Sequence, residues 1–189
     1  MEVAKITPPS TSFLQVKLDI ESIDYLWKII ELSKSKEINH KNKLIGNISK
    51  SILLDDQESY FYKTVCMPLV NFYRQNNNGY GDPIFVNTKF LPNTKLVLDK
   101  MWVNYQYKTE FNPYHDHNGV YSFAIWLKIP YDWKDQDKLP QFSEMKENNK
   151  KPGNFEFEYN DSLGGIRNFV YKLNKDLEGT MLFFPAKLR

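Results

Sequence analysis

The stretch Asn112-Pro113-Tyr114-His115-Asp116-His117-Asn118-Gly119, running directly into Val120-Tyr121-Ser122-Phe123-Ala124-Ile125-Trp126-Leu127-Lys128-Ile129-Pro130, decides how the chain is read. The second part is dominated by β-branched and aromatic residues and closes on proline, the composition of an apolar strand. The first part sets two histidines two positions apart, just before that strand. In extended backbone the side chains at i and i+2 leave the same face, so His115 and His117 can present both imidazoles to one cation while Asp116 points the other way. On a helix the same spacing would splay them. The chain has only three histidines, and a concentrated imidazole pair suits Fe(II), Zn(II) or a similar borderline metal. The third, His40, stands in a basic segment with no metal signal. The alternative reading of the pair is a solvated loop mouth whose histidines are incidental.

Outward from this point, short runs of β-branched and aromatic residues separated by turn residues continue from about Ile84 onward. They predict strands over 95–107, 119–129, 154–159, 166–173 and 180–184. Asn160-Asp161-Ser162-Leu163-Gly164-Gly165 predicts a hairpin loop. The charged, proline-bounded segment 132–152 predicts an excursion from the sheet. Its triplet Asp132, Asp135, Asp137 lacks the glycine and terminal glutamate of a calcium loop. The aromatic series Trp102, Tyr105, Tyr107, Phe111, Tyr114 looks like a binding platform, although cross-strand packing is the default for such residues.

Toward the N-terminus, Pro8-Pro9-Ser10 reads as an irregular entry. Ile23, Leu26, Trp27 and Ile30 then recur at helical spacing over 21–35. Residues 34–50 are polar and basic, with a turn signal at Gly46-Asn47. Phe61, Val65, Leu69, Phe72 and Tyr73 predict a second helix, kinked or shortened by Pro68, and Gln75 to Gly79 an exposed loop. The fold class is mainly β with N-terminal helices, α+β, in which two helices precede a β-sandwich or barrel. One domain is expected over 1–189, with a helical support region at about 13–80 and a β core at about 84–189.

With 189 residues, 41% apolar and 15% aromatic, the chain can bury one substantial core. Lys plus Arg outnumber Asp plus Glu by only 25 to 23, so no net field points to nucleic acid or a membrane surface. The lone Cys66 permits no intrachain disulfide, excludes a cysteine-rich zinc framework, and reads as a core thiol in a reducing compartment. No apolar run approaches the roughly 18 residues of a membrane span, so a cytoplasmic location is expected.

The combination Met101-Trp102-Val103-Asn104-Tyr105-Gln106, Glu110-Phe111-Asn112-Pro113-Tyr114-His115-Asp116-His117 and Tyr121-Ser122-Phe123-Ala124-Ile125-Trp126 resembles the 2-oxoglutarate- and Fe(II)-dependent oxygenases of marine phage and bacterial genomes, distant relatives of the prolyl hydroxylases. Lys43 to Ile48, Asn154 to Phe157 and Glu178-Gly179-Thr180-Met181-Leu182-Phe183-Phe184-Pro185 extend the resemblance over roughly 15–189. It implies a double-stranded β-helix, or jelly roll. That core holds one Fe(II), which 2-oxoglutarate chelates as co-substrate, for hydroxylation of a small-molecule or peptide substrate. His115 and His117 would be the first two ligands, with no catalytic residue beyond the metal ligands. Asn104, Gln106 and Tyr121 lie where polar groups could reach the co-substrate.

The sequence departs from that pattern twice. His117 stands where many relatives of the wider superfamily carry Asp or Glu. After Pro185-Ala186-Lys187-Leu188-Arg189 the pattern would next supply a third histidine and then an arginine for the distal carboxylate of 2-oxoglutarate. The expectation is therefore a truncated member of the family, whose missing strand would leave a sheet edge open to homo-oligomerisation. Two other classes stay open. A cupin-like metal protein would show a Glu shortly after the His pair, and 118–129 contains none. A non-enzymatic jelly-roll binding or structural module would have incidental histidines.

Overall fold

A computed structural model describes residues 2–4, 11–36, 40–77, 95–146 and 151–189. Its contacts divide the chain into two compact units, one made of Met1–Lys17 with His117–Arg189 and the other of Leu18–Asp116. The composition is mixed helix and antiparallel sheet, as the α+β reading expected. No described helix is long and apolar enough to cross a membrane.

The first unit is organised by strand β7, Thr180–Pro185, whose six residues are all buried. The run Thr-Met-Leu-Phe-Phe-Pro has no polar alternation because neither face meets water. It lies between β1, Leu14–Lys17, and β4, Tyr121–Trp126, antiparallel to both, with Leu14 opposite Phe183 and Phe123 opposite the same Phe183 on the other edge. The entry to β7 is shaped by Glu178 and Gly179. The Glu178 carboxylate accepts the Ile129 N–H at 2.8 Å. Gly179, at φ +75°, takes a left-handed conformation that glycine adopts without steric penalty. Strands β5, Phe155–Asn160, and β6, Ile166–Tyr171, form the expected hairpin. Its loop is held by Asp161, whose carboxylate accepts from the N–H groups of Leu163 and Gly165 and from Arg167 Nε. Ile129, Phe157, Tyr171, Leu173, Leu182, Phe184 and Leu188 form the core. Its aromatic rings meet edge-on or tilted, Phe157 lying 4.9 Å from Phe184 and 4.6 Å from Phe13.

The segment after β4 is an excursion as expected, and its described part is helical in short pieces. Asp132 caps the turn Trp133–Gln136, and Trp133 N–H bonds to Leu173 O at 2.9 Å. Asp135 pairs with Lys138 at 3.2 Å. Two of the three aspartates therefore have structural work to do.

The second unit packs α1, Ile20–Lys34, with the antiparallel pair β2, Lys50–Leu54, and β3, Met101–Tyr105, in which Lys50 faces Tyr105 and Leu54 faces Met101. Asp19 caps α1 by accepting the Ser22 N–H. Leu26, Ile29 and Ile30 are buried. Trp27, expected on that apolar face, is 37% exposed and Ile29 takes the buried position instead. The second helix begins with a widened π turn, Tyr62–Cys66, before α2, Met67–Asn76, with Pro68 in the first turn of α2. Proline has no N–H for Thr64 O and its ring crowds that carbonyl, so the wider turn takes the place of a break. The helix also runs through Gln75 and Asn76, which were expected to be loop. Asn76 and Asn77 side-chain amides donate to the carbonyls of Phe72 and Tyr73, closing the helix end. Gly79 and the onset of β texture at Ile84 lie outside the described residues, as do Pro8-Pro9-Ser10.

Asp56 ties this unit together. Its carboxylate accepts the Tyr25 hydroxyl at 2.7 Å and the N–H groups of Phe61 and Tyr62, both at 2.9 Å. Removing it takes an acceptor from three donors, so Asp56→Ala is expected to destabilise the protein by about 2–3 kcal/mol, and Tyr25→Phe by about 1 kcal/mol. The double variant should be less destabilised than the sum, in urea unfolding monitored by circular dichroism. Strict additivity would mean that the two groups act independently.

Candidate functional site

His115 is half-buried, and its Nδ1 lies 2.7 Å from the Pro113 carbonyl oxygen. A carbonyl can only accept, so Nδ1 carries the hydrogen and Nε2 is the lone-pair nitrogen of the neutral ring. This is the arrangement in which a backbone carbonyl orients a metal-binding imidazole. The loop bearing His115 is fastened to the segment before β2. Asn47 and Phe111 exchange two backbone bonds, of 2.9 and 3.3 Å. Gly46 sits so close to Asn112 that a Cβ there would fall 1.8 Å from Asn112 Oδ1, which accounts for glycine at that turn.

Glu110 closes the loop from within. Its carboxylate accepts the N–H of Ser49 at 2.9 Å and of Tyr107 at 2.8 Å, while Gln106 Nε2 donates to its backbone carbonyl at 2.8 Å. The bonds from Ser49 and Tyr107, helped by the charge of Lys41, hold the Glu110 carboxyl below the usual glutamate range. Sequence reasoning gave Glu110 no role. Its only trace was an acidic residue three positions after Tyr107 in a turn-forming stretch.

His117 is half-buried in the other unit. Its N–H bonds to Ala186 O at 2.8 Å, Ala186 N–H bonds to Val120 O at 2.9 Å, and its ring lies 5.9 Å from that of Phe184. The backbone ladder between β4 and β7 thus extends to Val120 and Ala186, and the Ala186 carbonyl then takes the His117 N–H out of register, where the chain turns into β4. The chain after the Phe-Phe-Pro strand passes His117, where the resemblance implied a third histidine nearby. The residues present there are Ala186, buried; Lys187, exposed; and Leu188, packed in the core. Arg189 O accepts the Glu158 N–H at 2.7 Å.

Among the described residues no group of three or more His, Cys, Asp or Glu gathers that could hold a metal. Of the three side chains read as co-substrate contacts, Asn104 is exposed on β3 opposite Ser51. Gln106 is exposed and bonded into the Glu110 turn. Tyr121 is half-buried at the start of β4, stacked on Phe183 at 5.1 Å. Asn104 and Gln106 belong to the unit of His115, and Tyr121 to that of His117. His40 is buried, its ring 5.2 Å from that of Trp102. Cys66 is buried as expected, and burial pushes its thiol up to about 12.

No family model, curated protein or solved structure matches the chain.

The depressed Glu110 carboxyl contributes stability that is fully present above the ordinary glutamate value of 4.5 and is lost as the pH falls toward and through its lower value in the folded protein. Urea midpoints between pH 7 and pH 3 should therefore fall less steeply for Glu110→Gln than for the unsubstituted protein, with Glu110→Gln the less stable of the two at pH 7. Parallel curves would show that the carboxylate charge does nothing for the loop.

Proposed function

We propose that this chain carries a double-stranded β-helix core of the 2-oxoglutarate- and Fe(II)-dependent oxygenase lineage and binds a divalent metal through His115 and His117. The observation that supports it best is the bond between His115 Nδ1 and Pro113 O, the kind of backbone contact that orients a metal-binding imidazole. The i, i+2 spacing of the pair adds to it. Antiparallel pairing of the N-terminal strand β1 and of β4 with the late strand β7 is in keeping with a jelly-roll core.

The described donors stop at two imidazoles. Non-haem Fe(II) oxygenases hold the metal on three protein ligands, so the described residues do not fit a complete catalytic iron site. The activity proposed for them is metal binding, with hydroxylation left to a fuller ligand set. In the lineage reading Asn104, Gln106 and Tyr121 are the candidates to meet 2-oxoglutarate, and the substrate is a small molecule or peptide. The lack of a third donor among the described residues favours, as a second reading, a non-enzymatic jelly-roll binding or structural module whose histidines are incidental.

Anaerobic titration with Co(II) and then Fe(II), with and without 2-oxoglutarate, tests the proposal. The unsubstituted protein is expected to bind metal at least about 100-fold more tightly than the His115→Ala, His117→Ala double variant, with both folded by circular dichroism. A visible charge-transfer band on adding 2-oxoglutarate would support co-substrate chelation, and metal binding without it would keep the histidines as ligands but not the co-substrate. Equal affinity in the two proteins would overturn the assignment of the histidines.

A further inference from the structure

We propose that the ribbon formed by 41–50 and 105–114 binds single-stranded nucleic acid. Three aromatic rings on it face solvent: Tyr107 is 58% exposed, Phe111 56% and Tyr114 46%. The expectation that this series would pack holds for Trp102 and Tyr105, both half-buried, and fails for these three. The pairing of β3 with β2 ends at Tyr105, and the chain then turns through Lys108 and Thr109, so the later rings lie beyond that paired ladder.

The platform is preformed. The double bond between Asn47 and Phe111 and the two bonds to the Glu110 carboxylate fix the backbone that carries the rings, so little ordering entropy remains to oppose binding. The charge is one-sided. The two segments hold four lysines against one glutamate, and that glutamate is occupied by the N–H groups of Ser49 and Tyr107. Lys41, Lys50 and Lys108 are exposed.

Exposed aromatic residues and exposed lysines carried on the same two paired segments match a strand that offers both bare base faces and phosphates. A duplex hides its base faces, and an acidic peptide would engage the lysines and leave the rings unused. The near-zero net charge of the whole chain does not bear on this, because the asymmetry is local. The inference does not rest on the metal reading, since stacking and phosphate contact need no metal.

The test is fluorescence anisotropy of a labelled thymidine oligomer of about 15 nucleotides, metal-free, over a salt series. The competitors are a duplex of equal length, poly-glutamate and phosphatidylserine vesicles. Specific binding of the single strand is expected. Tyr107→Ala with Phe111→Ala should weaken it at least ~10-fold with an unchanged salt slope. Lys41→Ala with Lys108→Ala should reduce the slope of log K against log salt by about 1.4. The His115→Ala, His117→Ala protein should bind as the unsubstituted one does, which separates failure here from failure of the metal assignment. All four positions are exposed, and thermal melts of each variant verify the fold. No binding, equal competition by poly-glutamate or duplex, preference for vesicles, or indifference to loss of the rings would each overturn the proposal.

Discussion

Strand Thr180–Pro185 is hydrogen-bonded on both edges and buried on both faces, and the unit it belongs to depends on that enclosure. Every backbone polar group on such a strand must find a partner in a neighbouring strand, because no water can serve. The partners come from opposite ends of the chain, β1 near the N-terminus and β4 after the histidine loop. Met181, Leu182, Phe183 and Phe184 are almost wholly buried, and Phe157 and Tyr171 share one core cluster with Leu182 and Phe184, with Phe13 packed against it. Glu178, Gly179 and Lys17 are accessories to the same constraint. They satisfy the backbone where the chain enters β7, Lys17 Nζ donating to the carbonyls of Asp176 and Glu178.

The end of that ladder also determines what surrounds the second histidine. Ala186 pairs in register with Val120 through its N–H, while its carbonyl accepts the His117 N–H from the turn that leads into β4. His115 is placed by a different set of forces, a tight turn at Pro113 and a loop closed by Glu110 and packed on Gly46. The two imidazoles of one short motif are thus oriented by separate devices in separate units. The Pro113 carbonyl fixes the orientation of the His115 ring, and the backbone bond to Ala186 fixes the chain at His117.

Much of the fold was legible where a local pattern sufficed. The heptad-like spacing of Leu26 and Ile30 located α1 to within a residue or so, and the turn residues of 160–165 located the β5–β6 hairpin. Strands β1 and β2 were not legible. Leu-Gln-Val-Lys is four residues with ordinary polarity, and Lys50–Leu54 follows a basic stretch. Each is a strand only because of its partner, Thr180–Phe183 for one and Met101–Tyr105 for the other. Pairing at such separation leaves no local signature.

By itself, the sequence determined the element types wherever periodicity ran long enough, the burial of Cys66, the strand over 180–184, and the position of the only paired histidines. Hydrophobic period and residue chemistry are properties of neighbours along the chain. Tertiary structure alone decided that Tyr107, Phe111 and Tyr114 stay in solvent while Trp102 and Tyr105 pack, and that Glu110 spends its charge on two N–H groups. It also decided that Ala186 and Leu188 fill the space beside and beyond β7. Those outcomes depend on which surfaces meet across the fold, and contact between residues distant in sequence is information that no window of the chain contains.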